Sequence, residues 1–180
     1  MAEYLSEHFT LEEMIYSDTA KAKKINNSPT EIHKKVLKHT CQHLLEPLRA
    51  LLNEKYKIYN GKKVKKVTIK VTSGYRSAAL NAAIPGSSKT SQHCQGCAAD
   101  LQARVVFTDE TSVILPYTKL YENIKQWVKE GKLSVDQCIQ EKSGAAVWVH
   151  VSHHPSGKTL DRRQFLKYLN GKYTLDCDLP

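Results

Sequence analysis

Ser91 to Asp100 reads S-Q-H-C-Q-G-C-A-A-D, and Trp148 to Ser152 reads W-V-H-V-S. His93 and Asp100 stand seven residues apart, and His150 follows on a distant segment. Imidazole nitrogens and carboxylate oxygens both ligate zinc, and a catalytic zinc takes three protein ligands and keeps one position open for water. His93, Asp100 and His150 are therefore expected to form a zinc triad. Strand alternation supports the third ligand. Side chains alternate between faces along a strand, so Val147, Val149 and Val151 share one face, the expected core face. Trp148, His150 and Ser152 share the other, where an open cleft would lie.

Cys94 and Cys97 offer a competing reading as half of a four-cysteine zinc site or as a redox pair. A four-cysteine site normally shows a second C-x-x-C, and the chain has none. A redox pair sits at a strand-to-helix turn, whereas this stretch predicts entry into a strand. The two thiols are thus expected to be incidental to the metal. The count of five cysteines is odd, and no secretion signal precedes them, which predicts free thiols. His39 and His43 are four apart and can share a helix face, but no H-E-x-x-H accompanies them. They are expected at the surface.

The elements that must position the triad follow from periodicity. Thr10 and Glu13 form a capping box for a short helix from Leu11 to Ser17. The polar, Lys-rich stretch from Asp18 to Ser28 reads as a loop. Thr30 caps a long helix to Lys55, with an apolar stripe from Ile32 to Leu52 and a kink expected at Pro47. Lys66 to Thr72 alternates as a strand. A short helix is expected at Ala78 to Ala83 and a loop from Pro85 to Gly96. Ala98 to Val106 should be a strand carrying Asp100. Tyr117 to Glu130 reads as a helix ended by Gly131. Val135 to Glu141 and Val147 to Ser152 read as a hairpin with a longer loop over Lys142 to Ala146. A last helix is expected from Thr159 or Asp161 to just before Gly171.

A chain of 180 residues fits one domain, 1–180. It divides into a mainly helical part (1–60), a sheet carrying the zinc site (61–155), and a C-terminal helix and tail (156–180). Hydrophobic content of 41% supports a core, and no apolar run approaches the length of a membrane span. The N-terminus lacks an apolar signal-peptide core, so synthesis in the cytoplasm is expected. The formal net charge of +9 favours polyanions such as an anionic cell wall. The basic residues form no nucleic-acid module, so no nucleic-acid partner is expected, and a monomer is.

Four further segments extend the pattern: S-G-Y-R-S (Ser73 to Ser77), Leu80-Asn81, L-S-E-H-F-T-L-E-E-M near the N-terminus, and L-L-E-P-L-R (Leu44 to Arg49). Together with the two ligand segments they resemble the zinc D-Ala-D-Ala carboxypeptidase family. Its relatives include phage endolysin L-Ala-D-Glu peptidases and the hedgehog signalling domain. The resemblance covers most of the chain. It implies an α+β fold of the hedgehog/DD-peptidase type, with a small antiparallel sheet and flanking helices. It implies Zn2+ on His93, Asp100 and His150, and substrate handling by Arg76. A guanidinium there can hold a terminal carboxylate or stabilise an oxyanion. Ser91 is expected to hold the loop or the substrate, and Trp148 to wall the cleft. Some family members carry an acid three residues before the last histidine; here that position is Val147. Others place a glutamate at the end of the preceding strand, which implies Glu141 as general base, with Asp136 the alternative.

The implied chemistry is amide hydrolysis with a zinc-activated water. The implied substrate is the stem peptide of peptidoglycan, cut as a D,D-carboxypeptidase or an endolysin-type endopeptidase. Action at the bacterial wall after release, as from a phage-infected cell, would follow. A non-catalytic, zinc-stabilised wall or protein binding module is the alternative.

Overall fold

Leu37, Cys41, Leu44, Leu45, Leu48 and Leu52 recur at three- and four-residue spacing, and none is exposed to solvent. This stripe holds the N-terminal half against the sheet. In the computed structural model, which describes residues 2–154 and 161–179, it runs along one continuous helical stretch. Thr30 starts α3 (Glu31–Thr40) by accepting from His33 N. A π turn, Cys41–Leu45, then leads into α4 (Glu46–Lys55). Pro47 explains that turn. It has no N–H for the carbonyl four residues back, and the ladder widens so that Glu46 N bonds Cys41 O. The expected kink at Pro47 is thus absorbed as an i→i+5 step. Before it come α1 (Leu11–Ile15) and α2 (Asp18–Lys23). The second corrects the loop expected over Asp18 to Ser28. Ser17 caps it by accepting from Ala20 N, and only Ala20 is buried, so it lacked an apolar stripe.

Among the described residues eight strands make one sheet: β1 (Ile58–Tyr59), β2 (Lys62–Ser73), β3 (Ala98–Phe107), β4 (Ser112–Ile114), β5 (Gln137–Ser143), β6 (Ala146–Ser152), β7 (Gln164–Leu169) and β8 (Lys172–Asp178). Their order is β1-β2-β3-β6-β5-β7-β8, with β4 paired to β3. Helix α5 (Ala78–Ala83) follows β2, and α6 (Tyr117–Lys129) packs on β3, β5 and β6. The fold is thus α+β, an open sheet with flanking helices. Among the described residues no helix is long and apolar enough to cross a membrane.

The sheet departs from the sequence reading in several places. It is larger than a small antiparallel sheet, and its β5–β7 pair is parallel. The expected C-terminal helix is instead the β7–β8 hairpin. Its turn, Asn170-Gly171, has both φ angles positive (46° and 94°), the I′ geometry that suits a two-residue hairpin. Residues 156–160 of that expectation lie outside the described residues. The β5–β6 connection is also tighter than expected: Ser143 pairs Ala146 across two residues, Gly144 taking φ 56°.

Alternation divides the sheet's faces. Val67, Leu101, Val105, Cys138, Val149, Val151 and Phe165 are fully buried on the helix side. Asp100, His150, Ile139 and Glu141 point the other way, into a cleft of about 730 Å³.

Candidate metal centre

Asp100 on β3 and His150 on β6 are register partners, so they face each other on the cleft side. His93 arrives on a single 3₁₀ turn, Gln92–Gln95. Ser91 O accepts from Cys94 N to start that turn, and Gly96 closes it at φ 79°. A Cβ on Gly96 would come within 3.2 Å of His33 O and the Leu37 side chain. Helix α3 thus presses on the turn from behind.

The S-G-Y-R-S segment is a scaffold around His93. Gly74 O accepts from His93 Nδ1–H at 2.7 Å, which fixes the tautomer and leaves Nε2 with a free lone pair. Arg76 N donates to His93 O. Arg76 Nε donates to Ser73 Oγ at 2.9 Å, and Nη2 to Asp100 Oδ2 at 2.7 Å. Tyr75 N donates to Met14 O, and Ser77 caps α5 by accepting from Leu80 N. Gly74 is required because a Cβ there would collide with the Met14 carbonyl.

Arg76 occupies one oxygen of Asp100 and leaves Oδ1 to the histidines. His93 Nε2, His150 Nδ1 and Asp100 Oδ1 lie 3.0–3.2 Å from one another. Tetrahedral zinc with bonds of about 2.0–2.1 Å has edges of about 3.3 Å. The three donors therefore match one face of such a site, and all three residues are buried. Electrostatics supports ligation. Burial pushes the His93 pKa down, against the pull of Asp100, which keeps the ring neutral. Burial would raise the Asp100 pKa, but His93 and His150 outweigh it and hold the carboxyl well below its usual range.

Glu141 lies one row away on the same face, opposite Trp148 on β6 and beside Tyr168 on β7. It is buried, and desolvation together with the nearby Asp100 charge lifts its pKa to about 7. The Trp148 indole N–H is close enough to offset this slightly, yet it is buried without a well-formed hydrogen bond. Trp148 and Ser91 both line the cleft, and Ser91 makes no side-chain cap bond.

Asp136, the other candidate base, is committed elsewhere. It accepts from Gln92 Nε2, from Arg162 N and from the Arg162 guanidinium. Burial would raise its pKa, but these bonds lower it. Cys94 and Cys97 stand outside the metal cluster, and burial pushes both thiols up, Cys97 to about 12. All five cysteines are free. His39 and His43 are exposed, with ring centroids 4.3 Å apart.

Several cleft residues escaped the sequence reading: Gln92, Arg162, Tyr168 and Tyr173. Tyr168 and Tyr173 face each other across the β7–β8 hairpin, ring centroids 4.6 Å apart, and extend the wall beyond Glu141. The Asn170-Gly171 turn was the signal that could have found them.

A family model described as Peptidase M15 matches residues 7–116. The match takes in more than half of the chain, including S-G-Y-R-S, His93 and Asp100, and ends before Glu141 and His150. No curated protein and no solved structure matches the chain.

Proposed function

The chain belongs to the peptidase M15 family, and from that premise we propose that it is a zinc peptidase acting on the stem peptides of peptidoglycan. One observation carries the reading. Two imidazole nitrogens and a carboxylate oxygen form a triangle with 3.0–3.2 Å edges in an open cleft, one row from a buried glutamate. When bound, zinc supplies Lewis acidity, polarising a carbonyl and acidifying water.

The chain's own residues do the rest. Gly74 O and Asp100 orient the two imidazoles. Arg76 orients Asp100 and keeps N–H donors for an oxygen that gains negative charge, as an oxyanion donor does. Glu141, with a pKa near neutrality, takes a proton from the attacking water and delivers it to the departing amine. Ser91 and Trp148 bound the substrate groove. The placement of Asp100 and His150 as partners on neighbouring antiparallel strands also supports a fold of the hedgehog/DD-peptidase type. The net charge of +9 favours adsorption to an anionic wall.

Mass spectrometry of stem-peptide digests tests the reading and identifies the bond cut. Zinc-loaded protein should release new amine ends, and a chelator or His150→Ala should abolish release. A protein that binds zinc and wall fragments but never cleaves would be a binding module instead.

A further inference from the structure

Two guanidinium groups face the cleft, and they are held differently. Arg76 is only 14% exposed, with Nε on Ser73 and Nη2 on Asp100. Arg162 is 54% exposed, yet it is pinned as firmly. Its Nε donates to Asp136 Oδ1 at 3.0 Å and its Nη2 to Oδ2 at 2.6 Å. Its backbone N also donates to Oδ1, at 3.0 Å. Asp136 is 1% exposed and takes a further bond from Gln92 Nε2, at 2.9 Å.

A buried carboxylate needs its cation whether or not a ligand is present. Asp136 therefore fixes Arg162 in advance. A guanidinium has five N–H donors, and Asp136 takes one on Nε and one on Nη2. The rest, including both on Nη1, are available on an exposed side chain that lines the cleft of the triad. A planar fork held in place is suited to a carboxylate, which accepts two parallel bonds.

We propose that Arg162 is the specificity-determining anchor for a free carboxylate of the substrate, a role that rests on the peptidase reading above. It gives the cleft a direction. His150 pairs with Ile139, midway along β5 between Gln137 and Glu141. Arg162 precedes β7, which pairs in parallel with β5 starting at Gln137. The carboxylate is thus held toward the start of β5, and the proton is handled by Glu141 toward its end. The reacting bond lies between them. The carboxylate can be the chain end or the side group of an acidic residue.

The test is a set of synthetic stem peptides in which each carboxylate is amidated in turn, assayed with wild type, Arg162→Gln and Arg162→Lys. Wild type should lose about 10- to 100-fold in kcat/KM, mostly through KM, when one particular carboxylate is amidated, as expected for lost charge-assisted bonds. Which amidation does so tells chain end from side group. Arg162→Gln should show the same loss on the free acid and no further loss on that amide. Arg162→Lys, which retains the charge beside Asp136, should recover part of the binding. Asp136→Asn/Arg162→Gln removes the buried unpaired charge and should behave like Arg162→Gln, separating anchoring from folding. An amidation penalty as large in the Gln variants as in wild type would overturn the proposal. So would wild-type kinetics in Arg162→Gln. Failure of wild type to cleave any peptide of the set would instead sink the peptidase reading.

Discussion

At the residue scale the site depends on who holds each donor atom. Asp100 presents Oδ1 to the histidines because Arg76 occupies Oδ2. Arg76→Lys keeps a charge but cannot bond Ser73 and Asp100 together. Metal affinity should fall roughly 10- to 100-fold, the usual cost of losing an outer-shell partner, as read by competition with a chromophoric chelator. Unchanged affinity would show that Asp100 needs no such support. Glu141 makes a separate prediction. Glu141→Gln should lower kcat by about 10²- to 10⁴-fold while leaving the metal bound. Its titration also leaves a mark on the metal-free protein. Its folded pKa of about 7 lies above the ordinary 4.5, so the folded state holds the proton more tightly than the unfolded chain. That contribution is full below the ordinary value and is lost as pH rises through 7. The loss is on the order of 3 kcal/mol. Denaturant melts of the chelated protein should show stability falling from pH 5 to 8 in wild type and a flatter profile in Glu141→Gln. Equal slopes would refute the assignment. The triad itself was legible because spacing and strand alternation are properties of the sequence. The partners of Arg76 and Asp136 were not: no motif marks those pairs, which only the fold brings together from 24 and 26 positions apart.

At the scale of elements, the S-G-Y-R-S turn transmits helix packing into the candidate metal site. Gly74 lets the Met14 carbonyl approach, and its own carbonyl orients His93. Gly74→Ala forces backbone apart at one of the most crowded points of the fold. A loss of about 1–3 kcal/mol is expected, with weaker metal binding because His93 moves with the turn. Denaturant midpoints and metal titration read the two effects together. A variant that loses stability but keeps full metal affinity would separate the turn from the site. Elements with a strong period were legible here: α6, the long helix and β2. Those without one were not. Helix α2 buries only Ala20. The run from Gln164 to Leu169 has a mixed pattern because β7 buries Phe165 on one face and half-buries Leu166 and Tyr168 on the other. Its Asn-Gly turn carried the correct information.

At the scale of the molecule, the candidate metal site is a joint between parts that sequence separates. His93 rides on a turn backed by α3, Asp100 on β3, and His150 on the far strand of the β5–β6 hairpin. The family match ends at residue 116, so the third member of the triad, His150, and Glu141 come from beyond it. A metal bound at this joint binds the folded state and not the separated pieces. It should therefore stabilise the whole chain by mass action, about 4 kcal/mol at a free metal concentration near 1,000 times Kd. A chelator should lower the melting temperature of the wild type in one cooperative step. It should leave a His93→Ala/His150→Ala variant where it was. If the variant responds as the wild type does, the stabilising metal sits elsewhere. If neither responds while peptide cleavage still requires zinc, metal binding does not tie together the elements that carry its ligands.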